Sequence, residues 1–376
     1  LYVLGHKNSD LDSVASAYAY AHLLRIEGED QAIAARNGEL KPEVRFVLER
    51  YGIEPPEAID DVYLQVRDVM RRGVISATLE QPLLEAGQML QEHNRRAMPV
   101  LDAENRVRGI IATEDFAKLF FNDLDPRAVN RVSLNRDNLL RVLKGRVLVE
   151  GRRKLGNRVL VGAMQAETMV DYIEPGSLVV LGDREDAQLL AIEAGAAALV
   201  ITGDLLVSER ALAEARKHGV LIISTAHHTF TAVRLINLSV STEEYMNREF
   251  ESCHPEDQMS EVQIKLARRR SLPVVNNEGK LVGFLSRTDL INARPKRVIL
   301  VDHNEQSQAV DGLDEAELLG IIDHHRIADV HTNRPIMFRA EPVGCTGTII
   351  VGLYHEAGIP IPGEAAGLLM AGLLYD

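Results

Sequence analysis

Tryptophan is absent from this chain of 376 residues, and there are only two cysteines, Cys253 and Cys345. Two thiols give no disulfide framework, so a small bridge-stapled secreted fold is excluded and a reducing cytoplasm is the expected compartment. No apolar run approaches the roughly 20 residues that cross a bilayer, and no charged-then-apolar leader precedes Leu1. Positive charge is scarce as well: 42 Lys and Arg stand against 55 Asp and Glu, a net charge of -13. Such a surface repels an extended phosphate backbone, so neither nucleic acid nor a membrane is an expected partner. A small anion would have to be attracted locally.

Histidine and acid, by contrast, gather at two distant places. Near the start stands Gly5-His6-Lys7-Asn8-Ser9-Asp10-Leu11-Asp12-Ser13, and near the far end Ile321-Ile322-Asp323-His324-His325-Arg326. Leu1 to Leu4 reads as a short strand and Ser13 to Leu24 as a helix, so the intervening loop aims His6, Asp10 and Asp12 at one point. Arg297 to Val301 is a β-branched strand that ends in Asp302-His303-Asn304-Glu305, and Leu318 to Ile322 another that ends in Asp323-His324-His325. A last apolar run, Leu368 to Tyr375, delivers Asp376. In an open parallel sheet, loops beyond the C-terminal strand ends converge on one ligand crevice. Imidazole with hard carboxylate oxygens suits Mn or Mg, and the lack of a cysteine ligand argues against structural zinc. Each residue alone has a plainer reading, His6 as a loop histidine and Asp10 or Asp12 as a helix cap; their convergence carries the metal argument.

The runs His6-x-Asn8-x-Asp10-x-Asp12-Ser13, Asp302-His303-Asn304-Glu305, Asp323-His324-His325-Arg326, Glu341-Pro342-Val343-Gly344 and Ala371-Gly372-Leu373-Leu374-Tyr375-Asp376 occur in one order. Together with Asn37-Gly38-Glu39-Leu40 and Phe46-Val47-Leu48, they resemble family II inorganic pyrophosphatases, the manganese-dependent members of the DHH phosphoesterase superfamily. The resemblance implies two or more divalent ions, Mn or else Mg or Co, with Asp302 as bridging ligand. His6 and Asp10 would complete one ion's site, and Asp12, His324 and Asp376 the other. It further implies attack on pyrophosphate by a hydroxide bridging the metals, since two dications acidify a water between them. His325, Asp323 and Asn304 are then the catalytic candidates: His325 to touch substrate and protonate the leaving phosphate, Asp323 to orient a histidine. Ser9, Leu11 and Cys345 stand where the family usually has Pro, Thr and Ser; none removes a ligand, although loss of the Pro is expected to loosen the first loop.

Between the two halves lies an internal repeat. Arg95-Arg96-Ala97-Met98-Pro99-Val100 leading to Gly109 and Asp115 aligns without a gap on Arg269-Arg270-Ser271-Leu272-Pro273-Val274 leading to Gly283 and Asp289. Each unit reads as strand, helix, strand, strand, helix and resembles a CBS domain. The resemblance implies an adenine nucleotide (AMP, ADP or ATP) held by Thr113 with Asp115 and by Ser286 with Asp289. Arg95 and Arg269 are placed to meet its phosphates. Those hydroxyl and acid residues are equally suited to capping the final helix. CBS pairs stack between subunits, so a homodimer is expected.

The segment between the repeats is rich in buried-type strands, Ser177 to Leu181, Ala197 to Thr202 and Gly219 to Thr225, which implies a β-α-β domain. Gly182-Asp183-Arg184-Glu185 with Thr202-Gly203 resembles the DRTGG domain. His227-His228 has no acid or third ligand nearby and reads as structural.

The expected fold is therefore α/β: a parallel-sheet DHH lobe interrupted by two CBS units and an α/β DRTGG-like domain. The expected boundaries are 1–64 for the first part of the DHH lobe, 65–123 and 242–294 for the CBS units, 124–241 for the DRTGG-like domain and 295–376 for the second part of the lobe. Both ends read as cut, Leu1 not being a start Met and Asp376 standing where the family continues into a further lobe that grips substrate; low activity of this piece alone is the corresponding expectation. Two other readings stay open here, a DHH phosphodiesterase acting on short or cyclic oligonucleotides, and an adenine-nucleotide sensor without catalysis.

Overall fold

In the computed structural model the first apolar run becomes the strand Tyr2–Leu4, and its neighbours on both sides are parallel to it. The structure describes residues 1–122 and 133–375, so Asp376 and the expected boundary between residues 123 and 124 lie outside the described residues. The chain forms two compact units, one of Leu1–Val69, Glu256–Ala267 and Thr288–Asp376, the other of Met70–Pro255 and Arg268–Arg287. No helix among the described residues is long and apolar enough to cross a membrane.

The first unit is built on a six-stranded parallel sheet. Its spatial order is Met337–Ala340, Glu317–Asp323, Arg297–Val301, Tyr2–Leu4, Ile33–Arg36 and Glu57–Ala58. Buried β-branched runs such as Val298 to Val301 fit a sheet covered on both faces. The order reverses between Tyr2–Leu4 and Arg297–Val301: from the first the chain steps outward one way, from the second the other way. That junction is a topological switch point, where the flanking loops splay apart and leave a crevice. The loops that carry His6 and Asp302 leave the sheet there, and the one that carries His324 leaves from the next strand, Glu317–Asp323.

Helix Leu11–Ile26 begins at Asp10, whose side chain accepts from the Ser13 N–H. Its alanines let helices Thr346–Ala357 and Gly363–Tyr375 pack close, around a core that includes Val14, Leu23, Ile350, Tyr354, Leu368 and Leu369. The apolar run Leu368 to Tyr375 thus lies within helix Gly363–Tyr375. Its buried positions Ala365, Leu368, Leu369 and Gly372 follow helical spacing, and that periodicity wins over the short apolar run.

In the second unit a five-stranded sheet runs Arg146–Val149, Leu221–Thr225, Ala198–Thr202, Leu178–Leu181 and Val159–Val161. Only Arg146–Val149 is antiparallel. Separate apolar clusters involve the two faces of its strands, one with Ala187, Ala191 and Ile192, the other with Leu139, Leu143 and Ile236. The repeat is also visible in this unit. Strands Ala97–Leu101 and Val107–Ala112 pair with Val100 opposite Gly109, and Ser271–Val275 and Leu281–Ser286 pair with Val274 opposite Gly283, each with an irregularity at the next residue. A Cβ on Gly109 would meet Met246 at 2.7 Å, and one on Gly283 would meet Met70 at 2.6 Å. The two glycines therefore make room for equivalent methionines. The repeats differ at their ends: the first closes in helix Thr113–Asn122, the second in the 3-10 turn Asp289–Asn292. Pro295 disfavours helical geometry at Arg294 and stops the second from extending.

Candidate metal centre

The loop after Tyr2–Leu4 is shaped by close packing. A Cβ on Gly5 would lie 2.7 Å from the Ser13 Cβ and 3.3 Å from the Ser13 carbonyl carbon, so only glycine lets the strand turn against the helix start. Ser9 is buried and its hydroxyl donates to the His6 carbonyl at 2.7 Å. That bond closes the loop and offsets the proline the family usually has. Asp302 leaves its strand with φ 66°, the left-handed region that Asp tolerates better than most residues.

His6 donates from Nδ1 to the Lys7 carbonyl at 2.8 Å, because a carbonyl only accepts. Its Nε2 then faces Asp10 Oδ2 at 3.2 Å and Asp302 Oδ2 at 3.7 Å. His324 repeats the device on the other side, with Nδ1 on the Val343 carbonyl at 3.1 Å and Nε2 3.5 Å from Asp302 Oδ1. Two groups of metal-competent atoms result, His6 with Asp10 and Asp302, and Asp302 with His324 and His325. Asp302 belongs to both. Asp12 stands beside them, fully buried, but belongs to neither three-residue group: its two oxygens accept the N–H groups of Thr346 at 2.6 Å and Gly347 at 2.9 Å, at the start of helix Thr346–Ala357.

The histidines and carboxylates of the centre shift one another's pKa values. Burial alone would lower the His6 pKa, but the bond to Asp10 and its charge raise it. Asp10 falls to about 2: burial opposes this, and the His6 and Ser13 donors overcome it. The bond to Asp302 lifts His324 to about 9, against its burial. Asp12 rises to about 7, through burial first and the neighbouring Asp302 charge second, whereas the His324 and Ser13 donors hold Asp302 below the usual carboxylate range in spite of its burial. A proton and a cation compete for the same Nε2 of each histidine, so metal binding is coupled to proton release. His303 is different. Its Nδ1 donates to the Val301 carbonyl, its buried Nε2 has no partner among the described residues, and burial lowers its pKa to about 4.

Around the centre, Asp323 is fully buried and accepts from His325 twice, at Nδ1 (2.8 Å) and at the backbone N–H (3.1 Å). The His325 ring is thereby held with Nε2 pointing away, half exposed. Asn304 gives both amide hydrogens away, to Asp323 Oδ2 and to the Arg326 carbonyl at 2.9 Å. It braces Asp323, and both of its amide hydrogens are committed to those partners. Sequence reasoning missed Ser13 and Thr346. Ser13 donates to Asp302 Oδ2 at 2.7 Å and Thr346 to Asp302 Oδ1 at 2.9 Å. Only the neighbouring Glu341-Pro342-Val343-Gly344 run signalled that Thr346 lies near the site.

The nucleotide candidates lie on the two repeats, where residues beside them meet: Arg270 pairs with Glu114 at 3.3 Å. Asp115 is buried and its carboxylate accepts from the Ala112 N–H at 2.9 Å and from Lys118 at 2.9 Å, the capping arrangement. Thr113 starts that helix, with its N–H on the Arg96 carbonyl. Ser286 receives a bond from Arg71 at 3.3 Å, Arg269 pairs with Glu251 at 3.2 Å, and Arg95 is exposed. Asp289 opens the 3-10 turn counted with the first unit. His228 caps helix Thr229–Asn237.

Comparison with known proteins bears on this arrangement. Residues 66–122 match the CBS domain, 138–239 the DRTGG domain and 232–373 the DHH family N-terminal domain. The chain is 34% identical over 381 residues to the cobalt-dependent inorganic pyrophosphatase of Clostridium perfringens (strain 13 / Type A), covering 100% of this chain and 69% of that protein. It is 32% identical over 383 residues to a probable manganese-dependent inorganic pyrophosphatase of Thermotoga maritima, again covering 100% and 69%. The crystal structure of the CBS and DRTGG domains of the regulatory region of Clostridium perfringens pyrophosphatase, complexed with the activator diadenosine tetraphosphate, superposes with a TM-score of 0.55 at 26% identity, covering 60% of this chain and 100% of that one. With DHH, CBS and DRTGG domains in one polypeptide and full-length similarity to two such enzymes, the chain belongs to the metal-dependent inorganic pyrophosphatases.

Proposed function

We propose that this protein hydrolyses inorganic pyrophosphate to two phosphates with divalent ions, Mn, Co or Mg, held on either side of Asp302. The observation that supports it most is the pair of three-residue groups sharing that carboxylate at the switch point of a parallel sheet. The donors fit: both histidines have Nδ1 committed to a carbonyl, which leaves the Nε2 lone pair for a cation. His6, Asp10 and Asp302 would hold one ion, Asp302 and His324 the other, with Asp12 and Asp376 as the remaining candidate ligands. Bound divalent ions supply Lewis acidity, lowering the pKa of water and offsetting phosphoryl charge. The chain's own contribution is orientation and proton transfer. Asp323 fixes the His325 tautomer, so that an exposed Nε2 can meet a substrate oxygen and exchange a proton with it.

The finer organisation is part of the same proposal. The DHH lobe comprises 1–64 and 295–376, the CBS units 65–123 and 242–294, and the DRTGG domain 124–241. An adenine nucleotide bound by the CBS pair, through Thr113, Asp115, Ser286, Asp289, Arg95 and Arg269, regulates turnover in a cytoplasmic homodimer. The adenine-nucleotide activator bound by the Clostridium perfringens domains supports this reading. The decisive assay strips metal with chelator, adds Mn or Co, and compares phosphate release from pyrophosphate with cleavage of a dinucleotide. Metal-dependent release from pyrophosphate alone is the expected result; preferential dinucleotide cleavage would replace the proposal with a DHH phosphodiesterase, and no cleavage of either with a sensor.

A further inference from the structure

We propose that Thr346 and Ser13 are positioning residues that divide the Asp302 carboxylate between the two halves of the metal centre, one hydroxyl on each oxygen. The inference rests on the reading of Asp302 as a shared ligand and deepens it.

Asp302 is 2% exposed, and its left-handed backbone fixes where Cβ points. The carboxylate plane could still rotate between the two nearby imidazoles. Two donors stop it. The Ser13 hydroxyl sits on Oδ2, the oxygen 3.7 Å from His6 Nε2, and the Thr346 hydroxyl on Oδ1, the oxygen 3.5 Å from His324 Nε2. Each carboxylate oxygen has two lone pairs in the plane. One is taken by a hydroxyl, so the other is directed toward that oxygen's own histidine. The charge is thereby shared between the two sides instead of chelating on one. Thr346 does more, because its backbone N–H also holds Asp12 Oδ2 at 2.6 Å. One residue at the start of a helix thus locates two buried acids.

Thr346→Val tests this cleanly, since it keeps the branched shape and the backbone N–H on Asp12 and removes only the hydroxyl. Mn2+ titration by calorimetry on the full chain is the readout, with metal-free thermal melting alongside. One binding step should weaken by about 10- to 100-fold, the usual effect of removing a partner of a metal ligand, and the other should hold. Ser13→Ala should weaken the other step, the double variant both, and Thr346→Ser should restore the affinity lost in Thr346→Val. A purely structural hydroxyl would lower the melting temperature and leave both steps as in the wild type, and that result overturns the proposal. Should Thr346→Val fail to fold, Ser13→Ala decides through the opposite oxygen. If the wild type binds no Mn2+, the shared-ligand reading itself falls and takes this one with it.

Discussion

Acidifying the metal-free protein below about pH 6.5 should loosen the centre through His303. The Nδ1–H of His303 is committed to the Val301 carbonyl, and its Nε2 is buried with no partner among the described residues. A proton added there would be a buried cationic N–H without an acceptor, which is why burial lowers the pKa from 6.5 to about 4. The sign follows from linkage. The unfolded chain binds the proton more tightly, so the neutral histidine's contribution is complete above about 6.5, declines as pH falls and is lost below about 4. At about 1.4 kcal/mol per pKa unit, the whole window amounts to about 3 kcal/mol. The measurement is hydrogen exchange of strand Arg297–Val301 at several pH values in chelator, because two compact units need not unfold together. His303→Asn is the control, its amide able to reproduce the donor to Val301 without titrating. The wild type should lose protection between about pH 6.5 and pH 4 while His303→Asn loses much less; parallel losses in the two proteins would refute the reasoning.

Other perturbations separate chemistry from packing. Asp323→Ala removes the acceptor that orients His325, and should lower kcat about 10- to 100-fold with little change in Mn2+ affinity, checked by steady-state kinetics beside a metal titration. Gly5→Ala forces a Cβ to within 2.7 Å of Ser13 and should cost about 1–3 kcal/mol, read as a fall in melting temperature. Removing metal with chelator should abolish turnover and lower the melting temperature, because ions that bind only the folded state stabilise it by mass action; Mn or Co should restore both.

The strand ends that carry Asp302 and Asp323 were legible because apolar β-branched runs followed by polar loops have a strong local signature. The internal repeat was legible for a similar reason, since its Pro, Gly and acid recur at fixed spacing. Cross-chain contacts left no such trace. Ser13 reads as a helix-start residue and Thr346 as one more β-branched position, and only the fold brings their hydroxyls to the same carboxylate. The bracing of Asp323 by the Asn304 amide left no trace either, because it too joins two loops distant in sequence. The apolar run Leu368 to Tyr375 left its element type open, and its burial pattern shows the helical period.

The position of the long insertion follows from the same topology that makes the site. The strand Glu57–Ala58 ends one half of the parallel sheet, and Arg297–Val301 begins the other next to Tyr2–Leu4, so this connection must cross back over the sheet whatever its length. Loop-closure cost grows only with the logarithm of length, so whole domains can be accommodated in such a crossing at little extra cost. The outgoing and returning chains are also tied together within the first unit. Val66 N–H donates to the Asp257 carbonyl at 2.9 Å, Met259 N–H to the Leu64 carbonyl at 2.8 Å and Val62 N–H to the Asp311 carbonyl at 2.9 Å. These bonds fix the ends of the excursion, so the sheet meets a closed loop rather than a free one. His6 and Asp302 can therefore sit on adjacent strands while the residues between them build a separate unit, and the switch point that opens the crevice is also the place where an insertion disturbs the strand order least.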